Sequence, residues 1–181
     1  MAVVEHTRTL RASAFPTDSG IASPDTRRAL ARAAAPDTPS DYLGAVVALC
    51  LDRLLVPVVA TATRLEHTAA GLASDKEADM SVVLLQTPDG RRAMLAFTGL
   101  DSLRAWDPAA RPVPVTLDLA ARSAAADGAS ALLIDFAGPH PLVIDSDVLA
   151  QLALGHRLVA LPDDEFGWAM TTDGEPPQPP G

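Results

Sequence analysis

Two apolar runs divided by Pro88-Asp89-Gly90 constrain this chain more than any other feature in it. Met80-Ser-Val-Val-Leu-Leu-Gln-Thr87 reads as one strand and Arg91 to Phe97 as its return. The Asp-Gly pair supplies the positive φ that a tight reversal needs. A hairpin commits the chain to a sheet, and the flanking segments have to supply the layer that covers it.

Those segments alternate in period. Ser23-Pro24-Asp25 places an N-cap and a proline at the first turn of a short helix whose only large apolar residue is Leu30, so it reads as a weakly packed arm. Ser40 is the expected N-cap of the next helix, where Leu43, Val46, Val47, Cys50 and Leu54 recur at helical spacing. Leu54 to Ala60 is a strand candidate, and Pro57, which cannot donate to a ladder, predicts an edge or bulged position. Thr98 is expected to cap a helix carrying Leu100, Leu103 and Trp106, with Asp101 returning the bond. Val113 to Val115 is a short extended segment. Thr116 opens a helix closed by Gly128, and Ser146 one closed by Gly155. Ala131–Ile134 and Leu142–Ile144 are further strands. The expected fold is α+β, α/β mixed: a single mixed sheet of about five strands containing a hairpin, packed by four or five helices. Residues 1–24 read as an irregular N-terminal arm, 25–162 as the domain, and 163–181 as an acidic, Pro-rich disordered tail.

Charge narrows the partners. The formal net charge is −9, Lys76 is the only lysine, and the densest basic patches, Arg27-Arg28 with Arg32 and Arg91-Arg92, are small and read as solvated faces. Phosphate backbones and anionic membrane surfaces repel such a chain, so no nucleic acid and no membrane is expected. The most apolar window, Leu43 to Val59, is broken by Asp52, Arg53 and Pro57, where a span needs about 20 nearly uncharged residues. The first ten residues carry Glu5, His6 and Arg8 and no apolar signal region, which predicts a cytoplasmic protein.

Catalytic signatures are not found: no G-x-S-x-G elbow, no Gly-rich phosphate loop, no H-E-x-x-H. No cofactor or metal is expected. Cys50 is the single cysteine and sits in an apolar run, as a small hydrophobe does. Asp135 and Asp145 each follow a strand and could meet at one sheet edge as an acid/base pair or a metal site, although turn entry and helix start account for them more simply. Phe166-Gly-Trp-Ala-Met170, with Trp168, either folds back onto the domain or docks a partner.

Several blocks taken together resemble a known family: Asp75-Lys-Glu-Ala-Asp-Met80, Asp89-Gly-Arg-Arg-Ala93, Ala96-Phe-Thr98, Leu103-Arg-Ala-Trp-Asp-Pro108 and Ala110-Arg-Pro-Val-Pro-Val115. Their order and spacing are similar to the SseB N-terminal domain family in its actinobacterial form, over about residues 20–162. Gly99 departs from it, standing where the family often has Ser. The resemblance implies an α/β domain of unassigned biochemical activity and transfers no catalytic residue. It marks Lys76, Glu77, Asp79, Phe97, Thr98, Trp106, Asp107 and Arg111, with Trp168 beside them, as candidate interaction or family-motif residues. Arg111 is expected to pair with Asp107. The leading expectation is a non-enzymatic cytoplasmic module that binds a protein partner, its strand edges also allowing a homo-oligomer. A small enzyme or ligand binder using Asp135, Asp145 or the 75–79 cluster is the alternative, and a secretion-associated accessory or effector is a third.

Overall fold

The computed structural model describes residues 2–7, 15–35, 38–60 and 80–170. The elements run β1 (Ala2–Thr7), α1 (Pro24–Ala34), α2 (Pro39–Leu51), β2 (Arg53–Ala60), β3 (Met80–Gln86), β4 (Arg92–Ala96), α3 (Leu100–Trp106), β5 (Arg111–Thr116), α4 (Leu117–Ala126), β6 (Ala131–Ile134), β7 (Leu142–Ile144), α5 (Ser146–Ala153), β8 (Arg157–Ala160) and β9 (Phe166–Ala169). The main sheet has the order β5-β2-β3-β4-β6-β7, with β1 set antiparallel on β3. Among the described strands only β4 and β6 run parallel, and the crossover between them carries α3, β5 and α4. The mixed α+β architecture is therefore as the sequence predicts. The strand count exceeds the expected five because β1 and β9 fall in segments read as arm and tail, β8 in the domain was not read as a strand, and β5 was read only as a short extended segment.

Alternation sorts the side chains onto two faces. Leu54, Val56, Val82, Leu84, Met94, Leu132, Ile134 and Ile144 meet α1, α2, α4 and α5 in the larger core. Leu55, Val83, Leu85, Leu95 and Phe97 project the other way, onto Leu103 of α3. Both faces are covered, so the central strands are apolar at almost every position. Alanines do much of the helix packing: Ala120, Ala121 and Ala124 let α4 lie close to the sheet. The same economy makes α1 integral to the fold, since Ala29 and Leu30 are 3% and 1% exposed against α2.

Sheet edges depart from expectation in an instructive way. β2 is interior, pairing with both β5 and β3, although Pro57 pointed to an edge. The Leu55 amide and carbonyl both bond Phe97, so alternation turns the Pro57 nitrogen to that same side, away from β5. The β2–β3 ladder ends at Val58, which leaves Pro57 in the gap where no donor is required. The true edge is β5. Its Pro112 and Pro114 face Pro57 and Leu55, so their nitrogens point outward and offer no N–H to a further strand. At the opposite edge, Leu142 and Ile144 of β7 are 7% and 0% exposed.

Three helix starts move from their predicted caps. α2 is capped by Thr38, whose amide donates to the Asp41 carboxylate at 3.0 Å; Ser40 lies inside the helix. α5 is capped by Asp145, whose carboxylate accepts the Val148 amide at 3.2 Å, and Ser146 is the first helical residue. α3 starts after Gly99, because the Thr98 side chain is engaged elsewhere. Asp41→Ala removes a capping partner at a partly exposed position, and a loss of about 1 kcal/mol is expected in chemical denaturation.

Candidate functional site

The parallel pairing of β4 with β6 delivers Thr98 and Asp135 to the same end of the sheet. Asp135 is 1% exposed and sits in the left-handed region at φ 49°, a conformation Asp tolerates better than most residues. One carboxylate oxygen accepts the Thr98 amide at 2.9 Å and the Ser102 hydroxyl at 2.6 Å; the other accepts the Thr98 hydroxyl at 2.6 Å. Arg27 of α1 closes the arrangement. Its Nε donates to the Thr98 hydroxyl at 2.8 Å and lies 3.7 Å from the Asp135 carboxylate, while Nη2 reaches Asp101 at 2.6 Å. Arg27 is thus no solvated face, since its side chain is four-fifths buried.

A second buried guanidinium adjoins the first. Arg53, 7% exposed, donates Nε to Asp18 at 3.0 Å, Nη2 to the Ile21 carbonyl at 2.8 Å and Nη1 to the Thr98 carbonyl. It straps Phe15–Ala22 across α3, where the Leu100 amide also donates to the Gly20 carbonyl at 2.8 Å. Gly20 is obligatory there: its φ is 74°, and a Cβ would stand 2.3 Å from the Leu100 side chain. A shallow cleft of about 500 Å³ opens on the outer side of this knot, lined by Gly20, Ile21, Arg27, Leu100, Asp101 and Arg104.

Chemically the knot is closed. Each Asp135 oxygen is filled and the group is shielded from solvent, so it clamps β6 to Thr98 and to Ser102 of α3. Nor does it pair with Asp145. Ile134 faces Leu142 and Leu132 faces Ile144 in the antiparallel β6–β7 register, which sends Asp135 and Asp145 out of opposite ends of the sheet. Burial pushes the Cys50 thiol up; Asp118 adds to the effect, while the Leu158 backbone and Arg157 oppose it. His156 is held by Gln151 at 2.7 Å. Among the described residues no three His, Cys, Asp or Glu side chains converge as metal ligands, and no helix is long and apolar enough to cross a membrane.

The residues singled out from sequence scatter. Phe97 is fully buried and stacks on Trp106, with ring centroids 5.7 Å apart. Thr98 follows directly and belongs to the knot. The Asp107 carboxylate accepts the Ala109 amide at 2.8 Å, ending α3; the expected ion pair with Arg111 does not form, because Arg111 opens β5 as an exposed residue. Trp168 packs on the opposite, larger core. Lys76, Glu77 and Asp79 lie outside the described residues. Arg27, Arg53, Ser102 and Asp18 went unremarked as a group, and the one local signal was Arg53, a charge lodged between two apolar runs.

Beyond α5 the chain forms a two-stranded ribbon, β8–β9, where a tail was expected to begin. Phe166 and Trp168 turn inward onto the core, so this cluster folds back. The other face carries Arg157, Val159, Gly167 and Ala169, with the Leu161 side chain 3.1 Å from where a Gly167 Cβ would stand. Leu161 and Met170 are 44% and 67% exposed. The reversal between the strands places Asp163 and Asp164 at φ 60° and 56°.

A family model described as SseB protein N-terminal domain matches residues 26–151, more than half of the chain. No curated protein and no solved structure matches it. The match takes in the sheet from β2 to β7 and, of the knot, Arg27, Arg53, Thr98, Ser102 and Asp135; the β8–β9 ribbon lies beyond it.

Proposed function

The chain belongs to the SseB N-terminal domain family, and from that premise we propose that it is a non-enzymatic, cytoplasmic protein-interaction module whose contact surface is the outer face of the β8–β9 ribbon. Leu161, 44% exposed on that face with its side chain over Gly167, carries the reading. Leu161 lies there beside Val159 and Ala169, and a contiguous apolar surface is what a docking partner removes from water. The β5 edge, with Pro112 and Pro114, is unsuited to strand addition.

The test compares captures by the tagged full-length chain, crosslinked in its native cell, with those by Leu161→Asp and by Leu119→Asp as a control on another exposed apolar residue. Specific partners should vanish with Leu161→Asp and survive Leu119→Asp. Identical captures by all three proteins, or nothing above background, would sink the reading.

A further inference from the structure

Resting on the ribbon as contact surface, we infer that its partner is a basic, apolar segment of another protein: a large apolar side chain flanked by lysines or arginines. The apolar strip formed by Leu161, Val159 and Ala169 is bounded at the hairpin tip by Asp163, Asp164 and Glu165. All three acids are exposed, and none forms an ion pair among the described residues. The one arginine on the ribbon, Arg157, stands at the far end and leans toward Asp118 at 3.9 Å. A ligand reaching from the strip to the tip therefore meets apolar surface and then three unneutralised carboxylates in succession. Opposite charge steers and orients such an encounter, while like charge is turned away.

That sign selects among occupants. A second copy of the chain brings a net charge of −9. The chain's own C-terminal residues 171–181 hold Asp173 and Glu175 and no basic residue. Nucleic acid offers phosphates to a carboxylate cluster. A basic protein segment alone complements both halves of the surface.

Fluorescence anisotropy with the full-length chain tests this. The probe is a labelled synthetic peptide with a central Leu-Trp pair between lysine pairs, set against a twin carrying glutamates in their place. The lysine peptide should bind about tenfold more tightly than its twin, and the difference should shrink as salt rises. Asp163→Asn/Asp164→Asn/Glu165→Gln should remove most of that preference; asparagine tolerates the left-handed backbone, so the fold is kept, as circular dichroism checks. Leu161→Asp should abolish binding of the lysine peptide. Equal affinity for the two peptides, or no change in the neutralised triple variant, overturns the inference. So does lysine-peptide binding that survives Leu161→Asp, or a self-association that Leu161→Asp dissolves in sedimentation. If cellular partners depend on Leu161 but not on the three acids, the charge inference falls while the contact surface stands; if none depends on Leu161, the surface itself falls.

Discussion

Asp135→Ala should cost the fold about 3–5 kcal/mol, more than any other change to a polar side chain in this molecule. The substitution removes the acceptor for the Thr98 amide, the Thr98 hydroxyl and the Ser102 hydroxyl at once, all of them buried. It also leaves the Arg27 guanidinium beside a void with one carboxylate, Asp101, in place of two. Urea unfolding should show the midpoint fall at nearly constant slope, the signature of lost stability in an otherwise similar fold. Asp135→Asn is the sharper control. Asparagine accepts the left-handed φ of 49°. Its NH₂, however, has to face either hydroxyls that are already donating or the arginine, so an intermediate loss is expected. A change below about 1 kcal/mol for the alanine variant would show that the carboxylate is not the centre of the knot.

Arg53→Met comes next, at about 2–4 kcal/mol. Methionine follows the apolar part of the arginine's path but strands Asp18 and the carbonyls of Ile21 and Thr98. The effect should be local as well as global. Phe15–Ala22 is held over α3 chiefly by this guanidinium and by the Leu100–Gly20 bond, so protease cleavage in that segment should rise well before global unfolding. Arg53→Lys should recover little, because an ammonium on a flexible stem cannot fork to three acceptors lying in different directions. Unchanged cleavage of the segment in Arg53→Met would assign its anchoring to Leu100 and Gly20 alone.

Much of the fold can be read in the sequence wherever local chemistry decides it. The Asp89-Gly90 reversal, the strands β6 and β7, and the α4 terminus at Gly128 (φ 72°) all follow from a turn residue or an alternation of a few neighbours. The misplaced element starts share a different cause. Thr98 is a sound cap by type, but its hydroxyl is spent on Asp135, which is distant in sequence. Pro57 is a sound edge marker by type, but β2 bends from β3 toward Phe97 just where its missing N–H would have pointed. The knot itself could not be assembled from the sequence, since Asp18, Arg27, Arg53, Thr98, Ser102 and Asp135 lie in separate segments with no shared motif. Asp135 and Asp145 looked like a pair only until the antiparallel register separated them. The inward turn of Phe166 and Trp168 depended on β8, a strand of four residues between Gly155-His156 and Leu161-Pro162 and too short to announce itself.

The parallel placement of β6 beside β4 has a consequence in time. β6 joins β4 only after the intervening α3, β5 and α4 have been laid down, and the side-chain bonds at the knot close loops of 32 to 75 residues. Closing such loops is entropically costly and yields its stabilisation only once both ends are in place. The β3–β4 hairpin, closed by a short turn, can assemble early, whereas the Arg27–Thr98–Asp135 contacts belong to the last stages of folding. Interactions absent from the folding barrier act almost wholly on escape from the native state. The knot therefore governs how long a folded molecule lasts far more than how quickly it is reached.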